Sequence, residues 1–278
     1  MSSETTFELP RTYDRFSASD RLQHAVMVIS FLVLTVTGLP QKFIYLNNRY
    51  LDDLIDLMGG IEGVRVVHRW AATVLMLATV YHLLAAAHRL LVRRVSLSML
   101  PRYQDVVDAL QAVRYNLGLA KQRPHTDRYT WEEKVEYWSL LWGTLVMIGT
   151  GFMLWNPIAT ARFLPGEFIP AAQVVHGGEA ILAILAVLVW HFYSVHLRSF
   201  NRAMFTGQLT EHEMEHEHPL ELARIKGGTA HAAHDPAALA RRQKVFLPVA
   251  GVVAALLLAG IYWFVTFEQT AITTLPLR

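Results

Sequence analysis

Five stretches of this chain are apolar for long enough to cross a membrane, and polar runs separate them. They fall near residues 22–42, 64–91, 134–155, 171–197 and 245–267. At 1.5 Å of rise per residue, each covers a hydrocarbon core of about 30 Å as a single helix. The fifth, VFLPVAGVVAALLLAGIYWFVTF, carries no acidic or basic residue, and Tyr262 and Trp263 near its end suit the membrane interface. Between the second and third stretches, QDVVDALQAVRYNL has the apolar spacing of a short surface helix within residues 102–119.

Part of this pattern is written twice. TVTGLP in the first stretch echoes GTGFML in the third, and VVH opens both the second and the fourth. A repeat of helix pairs running the same way through the membrane predicts an all-α fold. Four helices form a bundle about a pseudo-twofold axis along the membrane normal, and the fifth helix packs outside it. The expected organisation is a hydrophilic tail over 1–21, the four-helix domain over 22–197, a polar segment over 198–244, the fifth span over 245–267 and a tail over 268–278.

Basic residues give this layout a direction. Seven Lys and Arg fall in 92–130 and seven more in 198–244, against Arg49 alone in 43–63 and Arg162 alone in 156–170. By the positive-inside rule the N-terminus lies in the cytoplasm and the C-terminus outside. The first twenty residues include four acidic ones and no apolar core, so they do not read as a secretory signal.

Composition narrows the chemistry. Hydrophobic residues make up 53% of the chain and charged ones 17%, the balance of a membrane protein. A formal net charge of +2 offers no field for a nucleic acid. With no cysteine, the chain cannot hold a disulfide, a Cys-ligated zinc, an iron–sulfur cluster or a covalently attached c-type haem. Thirteen histidines remain, and several of them fall inside the apolar stretches.

VVHRWAATVLMLATVYH places His68 and His82 fourteen residues apart, and VVHGGEAILAILAVLVWH places His176 and His191 fifteen apart. Along a helix these spacings are rises of about 21 and 22 Å, with about 40° and 60° between the side chains. The two pairs therefore match in depth. Iron in a porphyrin takes two axial imidazoles from opposite sides, and four histidines at two depths supply two such positions. His24, at the start of the first stretch, lies at the depth of His82 and His191, so it competes with His82 for the place opposite His191. His88 and His196 also match in depth but point elsewhere, and read as interfacial histidines or propionate partners. Arg65 and Arg69 flank His68, where haem propionates, Glu62 or lipid headgroups would satisfy them. The alternating Glu and His of EHEMEHEHP, residues 211–219, reads as a solvated face ahead of a metal tract.

Taken in order, RLQHAVMVISFLVLTVTGLP, RVVHRW, RYTWEEKVEYWSLLWGTLVMIGTGFMLWNP, VVHGGEA and WHFYSVHLRSFNRAMFTGQLTEHEMEHEHP resemble the haem b membrane (gamma) subunit of formate dehydrogenase and the related cytochrome b subunits of nickel-iron hydrogenases. The resemblance covers about residues 18–220. It implies two b haems, an inner one on His24 and His191 and an outer one on His68 and His176. The 14 and 15 spacings also resemble the ligand helices of cytochrome b6, which would put His82 opposite His191; a third haem using His24 or His82 stays open. The resemblance further implies a menaquinone site, with ubiquinone as the other quinone to consider, at Tyr129, Thr130, Glu132, Glu133 and Lys134. It implies a bacterial cytoplasmic-membrane location among membrane lipids, and a periplasmic partner, either an iron–sulfur protein or a multihaem cytochrome c. Electron transfer between quinone and that partner is the function expected. The rival expectations are a transporter whose histidines relay protons, and a haem-containing anchor without a quinone site.

Overall fold

The computed structural model describes residues 11–46, 48–198, 200–229 and 235–267. The tail expected over 268–278 lies outside the described residues. The architecture is all-α apart from two three-residue strands, β1 (Thr12–Asp14) and β2 (Gln208–Thr210).

Five helical segments are long and apolar enough to cross a membrane: Ala18–Leu46, Ile61–Leu91, Trp131–Trp155, Phe168–Arg198 and Pro236–Thr266. Each lies on one of the stretches read from the sequence and begins three to nine residues earlier. Ser17 and Asp20 bond reciprocally at the start of α1 (Ala18–Phe43), backbone N to side-chain oxygen at 3.1 and 3.2 Å. Each pair of bonds satisfies amide groups that a helix start leaves without partners. After a short helix α2 (Arg49–Leu57), Gly59 and Gly60 turn the chain at φ of 82° and 90°, which only glycine adopts without strain, into α3 (Ile61–Leu91).

The surface helix predicted within 102–119 is α4 (Tyr103–Asn116). The third span is α5 (Trp131–Trp155), followed by a turn of helix α6 (Pro157–Phe163) and the fourth span, α7 (Phe168–Leu185). That span does not stay α-helical: from Ala186 to His191 and from Tyr193 to Arg198 it winds as π-helix. A π turn spreads its bonds over five residues, so each residue advances by less than the 100° of an α-helix. The straight-helix angle between His176 and His191 therefore does not hold. Short helices α8 (Ala203–Thr206), α9 (Glu211–Glu217) and α10 (Pro219–Lys226) lead to α11 (Pro236–Thr266).

The chain divides into two compact units. One gathers residues 23–94, 139–199 and 237–278, which hold most of the five spans. Within it, α11 packs against the outside of the repeat. Phe264 meets Phe152 and Trp155 with ring centroids 5.2 Å apart, and Phe246 meets His88 at 5.4 Å. Arg242 donates to the Val92 carbonyl at 2.8 Å. The large apolar side chains of α11 otherwise face outward, as a lipid-facing helix requires.

The other unit gathers residues 1–22, 95–138 and 200–236. Strands β1 and β2 pair antiparallel, Thr12 opposite Thr210 and Asp14 opposite Gln208. Ala203, Leu209, Met214 and Leu222 form its small core, with Tyr13, Phe16 and Ile225 packed against them.

Candidate functional site

The histidines of the spans come together in two pairs. His68 on α3 faces His176 on α7 with ring centroids 6.4 Å apart and an interplanar angle of 62°. His24 on α1 faces His191 in the π segment at the same 6.4 Å, with 41° between planes. A metal–imidazole bond is about 2 Å and a ring nitrogen lies about 1 Å from its ring centre, so two imidazoles trans on one ion sit about 6 Å apart. Both pairs have that separation. The angle between rings is free, because each ring can rotate about the line to the shared ion. Among the described residues no group of three or more His, Asp or Glu converges as a metal site.

At the second pair it is His24 that faces His191, and His82 has a neighbour of its own. His82 Nδ1 lies 2.9 Å from Gln23 Oε1, the side chain immediately before His24. An amide oxygen only accepts, so this ring nitrogen donates. His88 meets Phe246 edge-on at 5.4 Å, and His196 meets Phe192 at a tilt, 5.3 Å away.

The repeated motif supplies what surrounds the first pair. Thr37 Oγ1 is 2.8 Å from His68 Nδ1, and Thr150 Oγ1 is 2.9 Å from His176 Nδ1. The glycine after each threonine faces the same ring: a Cβ on Gly38 would come to 3.4 Å from His68 Cε1, and one on Gly151 to 3.5 Å from His176 Cε1, both ordinary contacts. Gly177, next to His176, is filled from another helix, since a Cβ there would lie 2.6 Å from Lys42 Nζ. Thr37, Thr150, Gly38, Gly151 and Lys42 are neighbours of the pair that the sequence reading did not single out. The echo of TVTG in GTG marked the place, but a threonine in an apolar helix reads first as a helix-packing residue.

Of the two arginines beside His68, Arg65 pairs with Glu62 at 2.5 Å on an exposed turn. The Arg69 guanidinium lies over the Trp155 ring, 4.8 Å from its centroid.

The segment Tyr129–Lys134 opens α5. Thr130 and Glu133 form its capping box, with the Thr130 amide donating to Glu133 Oε2 at 2.8 Å and the Glu133 amide to Thr130 Oγ1 at 3.2 Å. Glu133 also receives Arg15 at 3.2 Å, while Lys134, itself buried, pairs with Asp105 at 2.6 Å. Tyr129 lies between two guanidinium groups, 5.1 Å from Arg15 and 5.5 Å from Arg128. Glu132 is half-buried in the first turn. Behind them, Glu221 receives Arg15 at 3.0 Å and Arg128 at 2.5 Å.

The EHEMEHEHP tract is α9 and its exit. Met214 and His218 turn inward, and His218 Nδ1 donates to the Asp127 carbonyl at 2.9 Å. Lys226 pairs with Glu211 at 2.5 Å, and Arg123 donates to His216 Nε2 at 2.8 Å. Glu211, His216 and His218 are thus engaged in an ion pair, a hydrogen bond and burial, respectively.

The family described as prokaryotic cytochrome b561 matches residues 15–207. The cytochrome b556(Fdn) subunit of the nitrate-inducible formate dehydrogenase of Escherichia coli K12 is 20% identical over 200 residues, 72% of this chain and 85% of that protein. The cytochrome b556(fdo) subunit of formate dehydrogenase from the same strain is 22% identical over 211 residues, 75% of this chain and 90% of that protein. The match spans all four histidines of the two pairs.

Proposed function

We propose, for a chain that belongs to the prokaryotic cytochrome b561 family, two b haems at fixed depths: His68 and His176 hold one, His24 and His191 the other. The protein is a membrane cytochrome b, an electron-transfer subunit linked to quinone chemistry in a respiratory complex. What supports the ligand assignment is the equal 6.4 Å separation of the two histidine pairs. The two histidine pairs at that separation carry the count we propose, two haems and not three.

Bound haem supplies the one-electron chemistry. The chain supplies the rest: four imidazoles that fix the depth of each iron, threonines and glycines that orient the rings, and apolar helices that exclude water from the path. By the distribution of Lys and Arg, the His68–His176 haem is the outer one, toward the periplasm, and the His24–His191 haem the inner one. Arg69 and Lys42 are the cations we assign to the outer propionates, ahead of Arg65, which already has Glu62. Electrons pass between the quinone pool on the inner side and a periplasmic partner, an iron–sulfur protein or a multihaem cytochrome c, in the bacterial inner membrane.

The quinone site is proposed at Tyr129–Lys134, where Glu132 and Glu133 exchange the protons that accompany quinone turnover. Menaquinone is the quinone we favour.

Haem extraction and a reduced spectrum of the purified chain test the reading. Two b haems per chain are expected, and a colourless protein would reject it in favour of a proton-relay transporter. Quinol oxidation is expected to fall at least about tenfold in Glu132→Gln or Glu133→Gln while haem content stays unchanged. Wild-type turnover in both variants would remove the segment from the mechanism.

A further inference from the structure

Thr37 and Thr150 occupy equivalent places in the two halves of the repeat, each one helix away from the histidine it touches. A threonine hydroxyl has one proton to donate and lone pairs to accept with. For Thr37 the proton goes to the Val33 carbonyl, 2.7 Å away, and for Thr150 to the Val146 carbonyl, also at 2.7 Å. A carbonyl has no proton to offer in return. The hydroxyl oxygen is therefore an acceptor toward the ring nitrogen, at 2.8 Å from His68 Nδ1 and 2.9 Å from His176 Nδ1.

The imidazole must bring the missing proton, which places it on Nδ1. Neutral imidazole with its proton on Nδ1 has its lone pair on Nε2. That is the nitrogen left for the metal. The glycine that follows each threonine faces the same ring, with the place of a Cβ at an ordinary contact distance of 3.4 or 3.5 Å from Cε1.

We propose that Thr37 and Thr150 are positioning residues of the outer haem: each holds its histidine in the Nδ1–H form and makes it a stronger donor to the iron. A hydrogen bond accepted from the far nitrogen of a ligating imidazole raises the basicity of the near one. A more basic ligand favours the ferric state, so the pair holds the outer haem at a lower potential than unsupported histidines would. Both halves of the repeat contribute equally, because both threonines sit at one level.

The inference rests on the assignment of His68 and His176 to one haem, and the two fail separately. If His68→Ala leaves both haems in place, the assignment falls. If His68→Ala removes one haem, the threonines are tested by redox titration of the full-length, haem-loaded protein in lipid nanodiscs. In Thr37→Val and Thr150→Val, which keep the shape and lose the hydroxyl, one haem is expected to rise in potential while the other stays where it was. Thr37→Ser and Thr150→Ser should titrate like wild type. The ferric low-spin electron paramagnetic resonance signal of the same haem should shift in the Val variants alone. Loss of the outer haem in the Val variants with retention in the Ser variants also supports the proposal. Wild-type potentials in the Val variants, equal shifts in Val and Ser variants, or loss of haem in both series would overturn it.

Discussion

His24 and His82 lie near one another, yet their rings have different partners. His24 faces His191 across 6.4 Å, while His82 is held by the side chain that precedes His24. Replacing His24 with alanine should therefore remove the inner haem, and replacing His82 should leave both haems bound; extracted haem per chain measures each outcome. His218 is a histidine of another kind. Burial, with the Arg15 guanidinium nearby, holds its pKa below the ordinary 6.5, although Glu133, Glu221 and the Asp127 carbonyl oppose the shift. A folded pKa below the unfolded one means that the folded unit prefers the neutral ring. The stability this confers is complete above about pH 6.5 and is lost as pH falls toward the lower folded value. Unfolding of the polar unit should become easier on acidification through that window. His218→Gln should flatten the slope, read as melting temperature against pH.

At the level of elements, the five spans were legible because an apolar run longer than about eighteen residues has few other uses. The two histidine levels were legible for a similar reason: a span is a ruler, and its ends mark depths. The ring pairing at the inner level was not legible. The π turns from Ala186 onward change the angle at which His191 leaves its helix, and a run such as AVLVWH carries no local signal for a wider turn. The threonine bonds were hidden too, since they join helices that the sequence separates by 31 and 26 residues. The ion cluster at the start of α5 was still further from reach. Arg15 draws together Glu133 and Glu221, which lie 118 and 206 residues away. Its side chain is only 2% exposed. Breaking a buried pair strands the remaining charge, at a cost of about 3–5 kcal/mol. Arg15→Ala should destabilise the polar unit by about 3 kcal/mol in a thermal or denaturant melt, far more than removing an exposed pair such as Arg49–Asp53.

For the whole molecule, two units with different solvents share one chain. The unit of spans turns most of its large apolar side chains outward, and its polar chemistry is concentrated on the histidines and their supports. The other unit has a small apolar core and is fastened by ion pairs and a two-stranded ladder. Neither is continuous in sequence, because the chain leaves and re-enters each one.

The ladder between β1 and β2 sets an order in time. Thr12 is made early, but its partner Thr210 follows 198 residues later (210 − 12), after the fourth span. At about 5–20 residues per second, the ribosome leaves the first strand without its mate for about 10–40 s. During that interval all four histidines of the two pairs are already synthesised or on their way into the bilayer, while the polar unit cannot close. Cofactor insertion thus has a period of biogenesis in which the amino-terminal strand is not yet fastened down, and closure of the ladder reports that the fourth span has been made.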